Sequence, residues 1–375
     1  MKRPVPYCRV LALLLILVTS ACVQPIEFET HASGVQLVVE GMITDEPGPY
    51  TVYVSESLPL SQRFSGRVPV TNAVVTLSDD GDNAETLVEI SAGVYESNGV
   101  IQGQVGHSYK LRIVTADQRM FESEPDTLRS TGVVQNIRYE FGARTREESF
   151  GHVDADVFNI FVDANAGEMA KYGRLRYTGV YQFTSSAELK TTRYSVYTPY
   201  MDPPPCSGYK VVPGPFGSGG LLEKIGECTC CDCWVYEHEK LPVLLDDQLV
   251  AGGQFNNLKM GEVPISRITF SQKFLVYIEQ MSLSKQAYDF FKSLRDQKEN
   301  AEGLFQTPAG AIRGNIKGVN NDNTVIGLFY ATSITAKSIF LDRSDLPYQL
   351  PPMETIADDC RTRFNATNEK PEIWE

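Results

Sequence analysis

Residues 35–125 contain short apolar and β-branched runs that are separated by turn-forming residues. In Tyr50-Thr-Val-Tyr-Val54 the first, third and fifth positions are apolar, which is typical of a strand that buries one face. Turn sequences such as Pro47-Gly48-Pro49 and Asn98-Gly99 lie between the runs. The pattern predicts seven strands, which are Gln36–Thr44, Tyr50–Ser55, Ala73–Ser78, Thr86–Ile90, Val94–Glu96, Ser108–Thr115 and Met120–Glu122.

Seven strands in a segment of this length are typical of a small β-sandwich. The order of Ala73-Val-Val-Thr-Leu77, Gly93-Val-Tyr95 and Gly106-His-Ser-Tyr-Lys-Leu-Arg-Ile113 resembles that of immunoglobulin- or transthyretin-like modules. This is a likeness of fold and implies no function. We therefore predict a mainly β protein with an N-terminal immunoglobulin/transthyretin-like β-sandwich at residues 35–125.

A larger β-rich domain with one helix is predicted over residues 126–345, because Glu124-Pro125-Asp126 interrupts the first set of strands. Runs such as Val157–Val162 and Leu175–Phe183 indicate further strands. The helix is predicted at about 282–300, with Ser282 as its N-cap. The apolar residues on one face of this helix are Leu283, Ala287, Phe290, Phe291 and Leu294.

Two segments of the chain lack strand or helix periodicity. Residues 198–240 are rich in proline and glycine and are predicted to form a long surface loop, the kind of segment that often carries function. Residues 346–375 are predicted to be a Pro-rich polar C-terminal tail, although the tail includes Cys360 and Trp374.

The first 21 residues indicate export. Lys2, Arg3 and Arg9 precede the apolar run Val10–Val18, which is too short to span a bilayer as a helix. The run ends in Val18-Thr-Ser-Ala-Cys22, which resembles the lipobox of bacterial lipoproteins. We therefore expect residues 1–21 to be a lipoprotein signal peptide, Cys22 to be lipidated, and residues 22–34 to be a tether. The alternative is an ordinary secretory signal with an incidental cysteine.

The mature chain is strongly acidic. Removing three basic residues with the signal peptide leaves 31 Lys and Arg against 47 Asp and Glu, a formal charge of −16. Nucleic-acid phosphates are bound by clustered Lys and Arg, so the composition argues against nucleic acid as a partner.

Six cysteines follow Cys22, and in an exported protein an even number is typical of disulfides. Sequence alone leaves 15 connectivities open, except that the adjacent Cys230 and Cys231 are expected to bond to different partners. Two overlapping C-x-x-C spacings keep open a zinc site near His238, or a redox pair. We predict disulfides and no metal. The six are Cys206, Cys228, Cys230, Cys231, Cys233 and Cys360.

Aromatic residues are concentrated around these cysteines. Held on a disulfide-stapled loop, they would give rigid contact area at low entropic cost, as a binding surface needs. The alternative is that several of them pack inward beneath the loop. The candidate binding-surface residues are Tyr197, Tyr200, Tyr209, Trp234 and Tyr236.

Catalytic motifs are missing from the sequence. It contains no G-x-S-x-G, no H-E-x-x-H and no phosphate-binding glycine loop. Asp79-Asp-Gly-Asp-Asn83 resembles part of a calcium loop, but Asp-Gly between two strands is also ordinary hairpin chemistry. We expect no enzymatic activity and no cofactor.

Several separated motifs resemble the "domain of unknown function 4249" family of bacterial lipoproteins. In the N-terminal part they are Leu37-Val-Val-Glu-Gly41 and Pro49-Tyr-Thr-Val52. In the C-terminal part they are Ala287-Tyr-Asp-Phe-Phe-Lys-Ser-Leu294, Ile312-Arg-Gly-Asn-Ile316 and Val325-Ile-Gly-Leu-Phe-Tyr330. No catalytic residue comes with the resemblance. Arg313-Gly314-Asn315 is expected to mark a backbone shape that needs glycine, with an Asn side chain bonding nearby amides.

The resemblance implies an outer-membrane lipoprotein from bacteria that possess many TonB-dependent receptors. The genes of such lipoproteins commonly lie beside a receptor gene. We therefore expect a non-catalytic binding or accessory component that works with such a receptor in nutrient capture or envelope organisation. It is expected to be lipid-anchored at the cell outer membrane, either exposed at the surface or facing the periplasm. The alternatives are a stand-alone adhesin or structural lipoprotein, and a hydrolase with an unrecognised site.

Overall fold

The computed structural model describes residues 35–58, 67–148, 151–168, 170–190, 201–214, 220–300, 312, 314–319 and 325–374. The predicted signal peptide, the tether with Cys22, and the aromatic candidates Tyr197 and Tyr200 lie outside these residues. Within the described part of the chain, no helix is both long and apolar enough to cross a membrane.

Strands dominate the described residues and form two packed bodies and a separate hairpin, so the predicted mainly β fold is confirmed. The strands before residue 130 are β1 Leu37–Thr44, β2 Thr51–Glu56, β3 Val68–Pro69, β4 Val74–Asp79, β5 Ala84–Thr86, β6 Val88–Ser91, β7 Val94–Glu96, β8 Ser108–Val114, β9 Met120–Ser123 and β10 Asp126–Thr127. Those that follow are β11 Val134–Glu148, β12 Gly151–Asn165, β13 Tyr172–Thr184, β14 Tyr209–Pro213, β15 Gly220–Lys224, β16 Asp232–His238, β17 Val243–Asp246, β18 Gln254–Pro264, β19 Phe274–Leu283, β20 Ile316–Gly318, β21 Val325–Thr332 and β22 Ile334–Leu341.

The first body is the predicted β-sandwich. One sheet has the order β21-β1-β2-β7-β6 with β3 beside β2, and the other has the order β20-β9-β8-β4-β5 with β10 beside β8. Alternate residues of each strand point into the shared core, as in β1, where Leu37, Val39 and Ile43 are buried. Val75 and Phe121 enter the same core from the second sheet.

Two strands of this sandwich come from the C-terminal part of the chain. β21 pairs in parallel with β1, Leu37 opposite Val325, and β20 pairs antiparallel with β9. The sandwich therefore extends beyond the predicted segment 35–125 and includes the strands Ile316–Gly318 and Val325–Thr332 from the segment assigned to the second domain. Both added strands cover sheet edges that would otherwise expose unpaired backbone groups.

The Gly314-Asn315 pair, just before β20, contacts β21 through both of its residues. The Asn315 amide donates to Phe329 O at 2.5 Å, and its oxygen accepts from Phe329 N at 3.0 Å. A Cβ at Gly314 would lie 1.4 Å from the Gly327 carbonyl oxygen, so no larger residue fits there. The backbone requirement and the amide-bonding Asn side chain are both confirmed.

The second body packs the sheet β11-β12-β18 with the sheet β16-β13-β19-β22, in which β17 also pairs with β13. Their common core includes Phe158 and Ile160 of β12, Leu175 of β13, and Val276 and Ile278 of β19. The alternating burial along β13 places every second side chain on the opposite, outward face of its sheet.

Helix α1, Lys285–Asn300, packs where the two bodies meet. Ala287 and Tyr288 contact a small apolar cluster that contains Leu328 of β21 and Met281 of β19. The predicted N-cap was wrong by two residues, since the Ala287 amide bonds to the Ser284 hydroxyl. Ser282 belongs to β19, and its buried hydroxyl donates to Arg129 O.

The C-terminal tail is bound to the second body rather than extending from it. Leu346, Cys360 and Trp374 are buried. Thr367 forms an isolated antiparallel bridge with Trp234 at the edge of β16. The predicted polar tail is thus anchored at several points by its few apolar residues.

Candidate functional site

All six mature-chain cysteines downstream of the tether form disulfides, as predicted. The pairs are Cys206–Cys230, Cys228–Cys231 and Cys233–Cys360. Cys230 and Cys231 have different partners, so that expectation is also confirmed. The Asp359 carboxylate lies 3.7 Å from Cys206 Sγ, but that sulfur is bonded to Cys230 and is not a free thiolate for a metal.

The three disulfides close loops of very different length. Cys233–Cys360 joins β16 to the C-terminal tail, and both sulfurs lie in the core of the second body. Cys206–Cys230 closes the base of the segment between residues 206 and 230, whereas Cys228–Cys231 closes only a short turn. The Cys206–Cys230 bond thus closes the segment on itself, and Cys230 O at its end accepts a hydrogen bond from Cys360 N of the tail.

The segment predicted as a long loop contains a β-hairpin. β14 and β15 pair with each other, Tyr209 opposite Lys224, and neither pairs with another strand in the described part of the chain. The Ile225 and Gly226 amides donate to Gly208 O at the base of the hairpin. Gly208 has φ +73°, which a residue with a side chain adopts only with strain. Prolines and glycines on both sides of these short strands hide their alternation in the sequence.

A two-stranded hairpin alone is marginally stable in water, so this one depends on its attachment. The Cys206–Cys230 bond and the hydrogen bond from Thr229 N to Cys206 O hold its base. We refer to the described residues of this segment, 206–214 and 220–230, as the disulfide-bonded hairpin.

This hairpin exposes apolar side chains. Leu221 is 53% exposed, Leu222 is 38% exposed and Ile225 is 60% exposed, and Met201, just before the hairpin, is also exposed. Leu221 and Leu222 are consecutive in β15, so their side chains point to opposite faces of the hairpin. Exposed apolar side chains are common in contact surfaces for other molecules. These side chains were not among the residues predicted for a binding surface, although two consecutive leucines beside charged residues in a Pro/Gly-rich segment were a visible signal.

The charges on the hairpin cancel. Lys210 Nζ lies 3.0 Å from a Glu223 carboxylate oxygen, and Lys224 Nζ lies 2.9 Å from one of Glu227. On a protein of formal charge −13 over the full sequence, the hairpin is therefore a locally neutral, apolar surface. Such a surface avoids the electrostatic repulsion that the rest of the chain would exert on an acidic partner.

The described aromatic candidates have different surroundings. Tyr209 is half-buried on β14, and Tyr236 is 41% exposed on β16. Trp234 is buried in a cluster with Val180, Leu275 and Trp374. Of these three residues, Trp234 therefore packs inward, which was the alternative that the sequence left open.

The Asp79–Asn83 segment is a hairpin turn. Asp79 Oδ1 accepts hydrogen bonds from the Gly81 and Asn83 amides, each at 2.9 Å. The Asn83 side chain donates to the other oxygen, and this bond lowers the pKa of Asp79. The carboxylate thus organises its own turn, as the Asp-Gly sequence indicates.

Comparison with known proteins identifies a family but no characterised relative. The family model described as "Domain of unknown function (DUF4249)" matches residues 23–338. No curated protein and no solved structure matches the chain significantly. Since the match covers most of the sequence, including both packed bodies, the chain belongs to the DUF4249 family, whose function is unknown.

Proposed function

We propose that the protein is a non-catalytic binding component of the outer membrane, anchored by lipid on Cys22, that works with a TonB-dependent receptor. The proposal rests on the disulfide-bonded hairpin, a neutral surface with exposed apolar side chains whose base is closed by the Cys206–Cys230 bond. The disulfide and the folded base restrict the hairpin before it meets a partner. Binding therefore costs less conformational entropy than it would for a flexible loop.

The energy available from the hairpin suits a protein partner. Leu221, Leu222 and Ile225 are each roughly half-exposed, so complete burial would contribute about 1 kcal/mol per side chain. A few anchor side chains of this size, surrounded by polar contacts, are enough for a specific interface. Partner and hairpin would meet through apolar contact, with little contribution from charge.

The anchor would restrict where that partner can be. Residues 22–34, even if fully extended, span at most about 45 Å. A body attached to Cys22 lipid through this tether stays close to one membrane surface. An integral barrel receptor in the same membrane is therefore within reach of the hairpin, and binding would be favoured by high local concentration.

We expect Cys22→Ala to release the protein from the membrane fraction, because lipidation requires the cysteine sulfur and each buried acyl methylene contributes about 0.8 kcal/mol. Cell fractionation with metabolic labelling by a palmitate analogue measures both properties. Cys8→Ala is the matched control, since Cys8 lies in the predicted signal peptide, and this variant should remain labelled and membrane-bound. Labelling of Cys22→Ala would show that the lipid is elsewhere or that the lipobox prediction is wrong.

We also expect the double substitution Leu221→Glu/Leu222→Glu to reduce recovery of a receptor-type barrel by about tenfold, because the interface would have to bury a new carboxylate whichever face of the hairpin it uses. The measurement is affinity purification of the full lipidated protein in mild detergent, with quantitative mass spectrometry of the bound proteins. The control is Val100→Glu/Val105→Glu, at two exposed positions of the sandwich. Equal barrel recovery with both variants would contradict a role for the hairpin, and recovery of no barrel with the wild type would favour a stand-alone adhesin.

A further inference from the structure

The outward face of the sheet β16-β13-β19-β22 forms an open groove of about 570 Å³. β13 contributes Arg174, Arg176 and Thr178, because these alternate with the buried residues of the same strand. Tyr236 enters from β16, and Tyr277 and Glu279 enter from β19. The groove is separate from the disulfide-bonded hairpin.

Two arginine–carboxylate pairs form the floor of this groove. Arg176 binds Glu279 through two parallel hydrogen bonds, of 2.6 Å from Nε and 2.8 Å from Nη2. Arg174 Nη2 donates to Glu239 at 2.5 Å. The first pair is placed by strand register, since Arg176 and Glu279 are direct partners across β13 and β19. The charges of these four side chains sum to zero.

Other elements lie beside the two ends of the groove. At one end the Arg174 guanidinium stacks on Phe291 of α1, at 4.5 Å from the ring centre. At the other end, Ile373 of the C-terminal tail lines the groove beside Trp374, which packs on Phe340. The sides are open, so the groove suits a chain-like ligand that passes across the sheet better than a small enclosed molecule.

The groove presents polar groups in a particular arrangement. In each ion pair, guanidinium N–H donors lie next to carboxylate acceptors, and the Tyr236, Tyr277 and Thr178 hydroxyls can both donate and accept. Neighbouring hydroxyls of a sugar also donate and accept side by side. Hydrogen bonds to charged groups are stronger than those between neutral groups, so a polyhydroxylated ligand gains from these pairs. An apolar ligand would desolvate these pairs without bonding their remaining donors and acceptors.

We propose that this groove binds a neutral oligosaccharide. The paired charges do not favour an anionic or a cationic ligand, whereas they match vicinal hydroxyls. The exposed Tyr236 ring, at 41% exposure, supplies the flat apolar surface on which the C–H face of a sugar ring packs. This inference does not depend on whether the hairpin contacts a receptor.

Tryptophan fluorescence gives a direct readout, because the sequence has two tryptophans and both lie in the cluster beside the groove. The full lipidated protein in detergent is titrated with neutral linear hexasaccharides of β1,4-glucose, α1,4-glucose and β1,4-N-acetylglucosamine. An uncharged peptide of glycine, serine and threonine is titrated in parallel. Calorimetry on the same samples gives the dissociation constants. We expect saturable binding of at least one saccharide, with a dissociation constant of about 1 mM or lower.

Two variants and a control locate the binding. Tyr236→Ala and the charge-neutral double substitution Arg176→Gln/Glu279→Gln should each weaken saccharide binding about tenfold. Tyr53→Ala, at a tyrosine with similar exposure in the sandwich, should have no effect. Saccharide binding that is unchanged in both groove variants would overturn the proposal. It would also be overturned if no saccharide bound, or if the peptide bound and the saccharides did not.

Discussion

The double variant Cys233→Ala/Cys360→Ala is expected to lose about 4–5 kcal/mol of unfolding free energy. This bond closes a loop of 127 residues in sequence separation, so its removal greatly increases the conformational freedom of the unfolded chain. Both sulfurs are buried in the core of the second body, and the bond fixes the tail to β16. Replacing both cysteines avoids leaving a free thiol. Urea unfolding of the mature protein, followed by circular dichroism, measures the change.

A matched control distinguishes the effect of loop length on stability from the effect of losing any disulfide. Cys228→Ala/Cys231→Ala removes a bond with a sequence separation of 3 and should cost only about 2 kcal/mol. The long-range variant should also expose the tail to protease before the rest of the protein unfolds. Equal losses in the two double variants would contradict the role assigned to the long loop.

The Asn315→Ala variant is expected to lose about 3 kcal/mol of unfolding free energy, the second largest loss that we expect. The Asn315 side chain forms hydrogen bonds with both the backbone amide and the backbone carbonyl of Phe329. Asn315 is buried, at 1% exposure. Alanine leaves these two backbone groups buried without partners. It also loosens β20 from β21, the two strands that the C-terminal region adds to the sandwich.

The same unfolding measurement tests this second prediction. Asn136→Ala is the control, because Asn136 is exposed on β11, and a change there should stay within about 0.5 kcal/mol. Hydrogen exchange at Phe329 gives an independent readout, since its amide should lose protection in the variant. An Asn315→Ala protein as stable as Asn136→Ala would show that the side-chain bonds to Phe329 contribute little.

Much of the architecture follows from local sequence pattern. Period-2 alternation predicts β1, β2 and β13, because each buries one row of side chains and exposes the other. The helix is recognisable from its apolar face, although Ser284 rather than Ser282 is its N-cap. Each of these features depends on residues close together in the chain.

Features that depend on distant residues were not predictable. The sequence pattern of Val325–Thr332 predicts a strand. Neither that pattern nor the pattern of β1 indicates that the two strands pair in parallel. The choice of Cys233–Cys360 among the possible connectivities likewise depends on where the tail packs. Arg176 and Glu279 each look like an exposed polar position, and they form the floor of the groove only through the register of β13 against β19.

Site-specific photo-crosslinking in intact cells tests most directly whether the disulfide-bonded hairpin contacts a receptor. A photoreactive amino acid replaces Leu222 in one strain and Val100, at 72% exposure on the sandwich, in another. We expect one dominant adduct from position 222, containing a TonB-dependent barrel, and no such adduct from position 100. No barrel adduct at position 222, or the same adducts at both positions, would contradict a contact between the hairpin and a receptor.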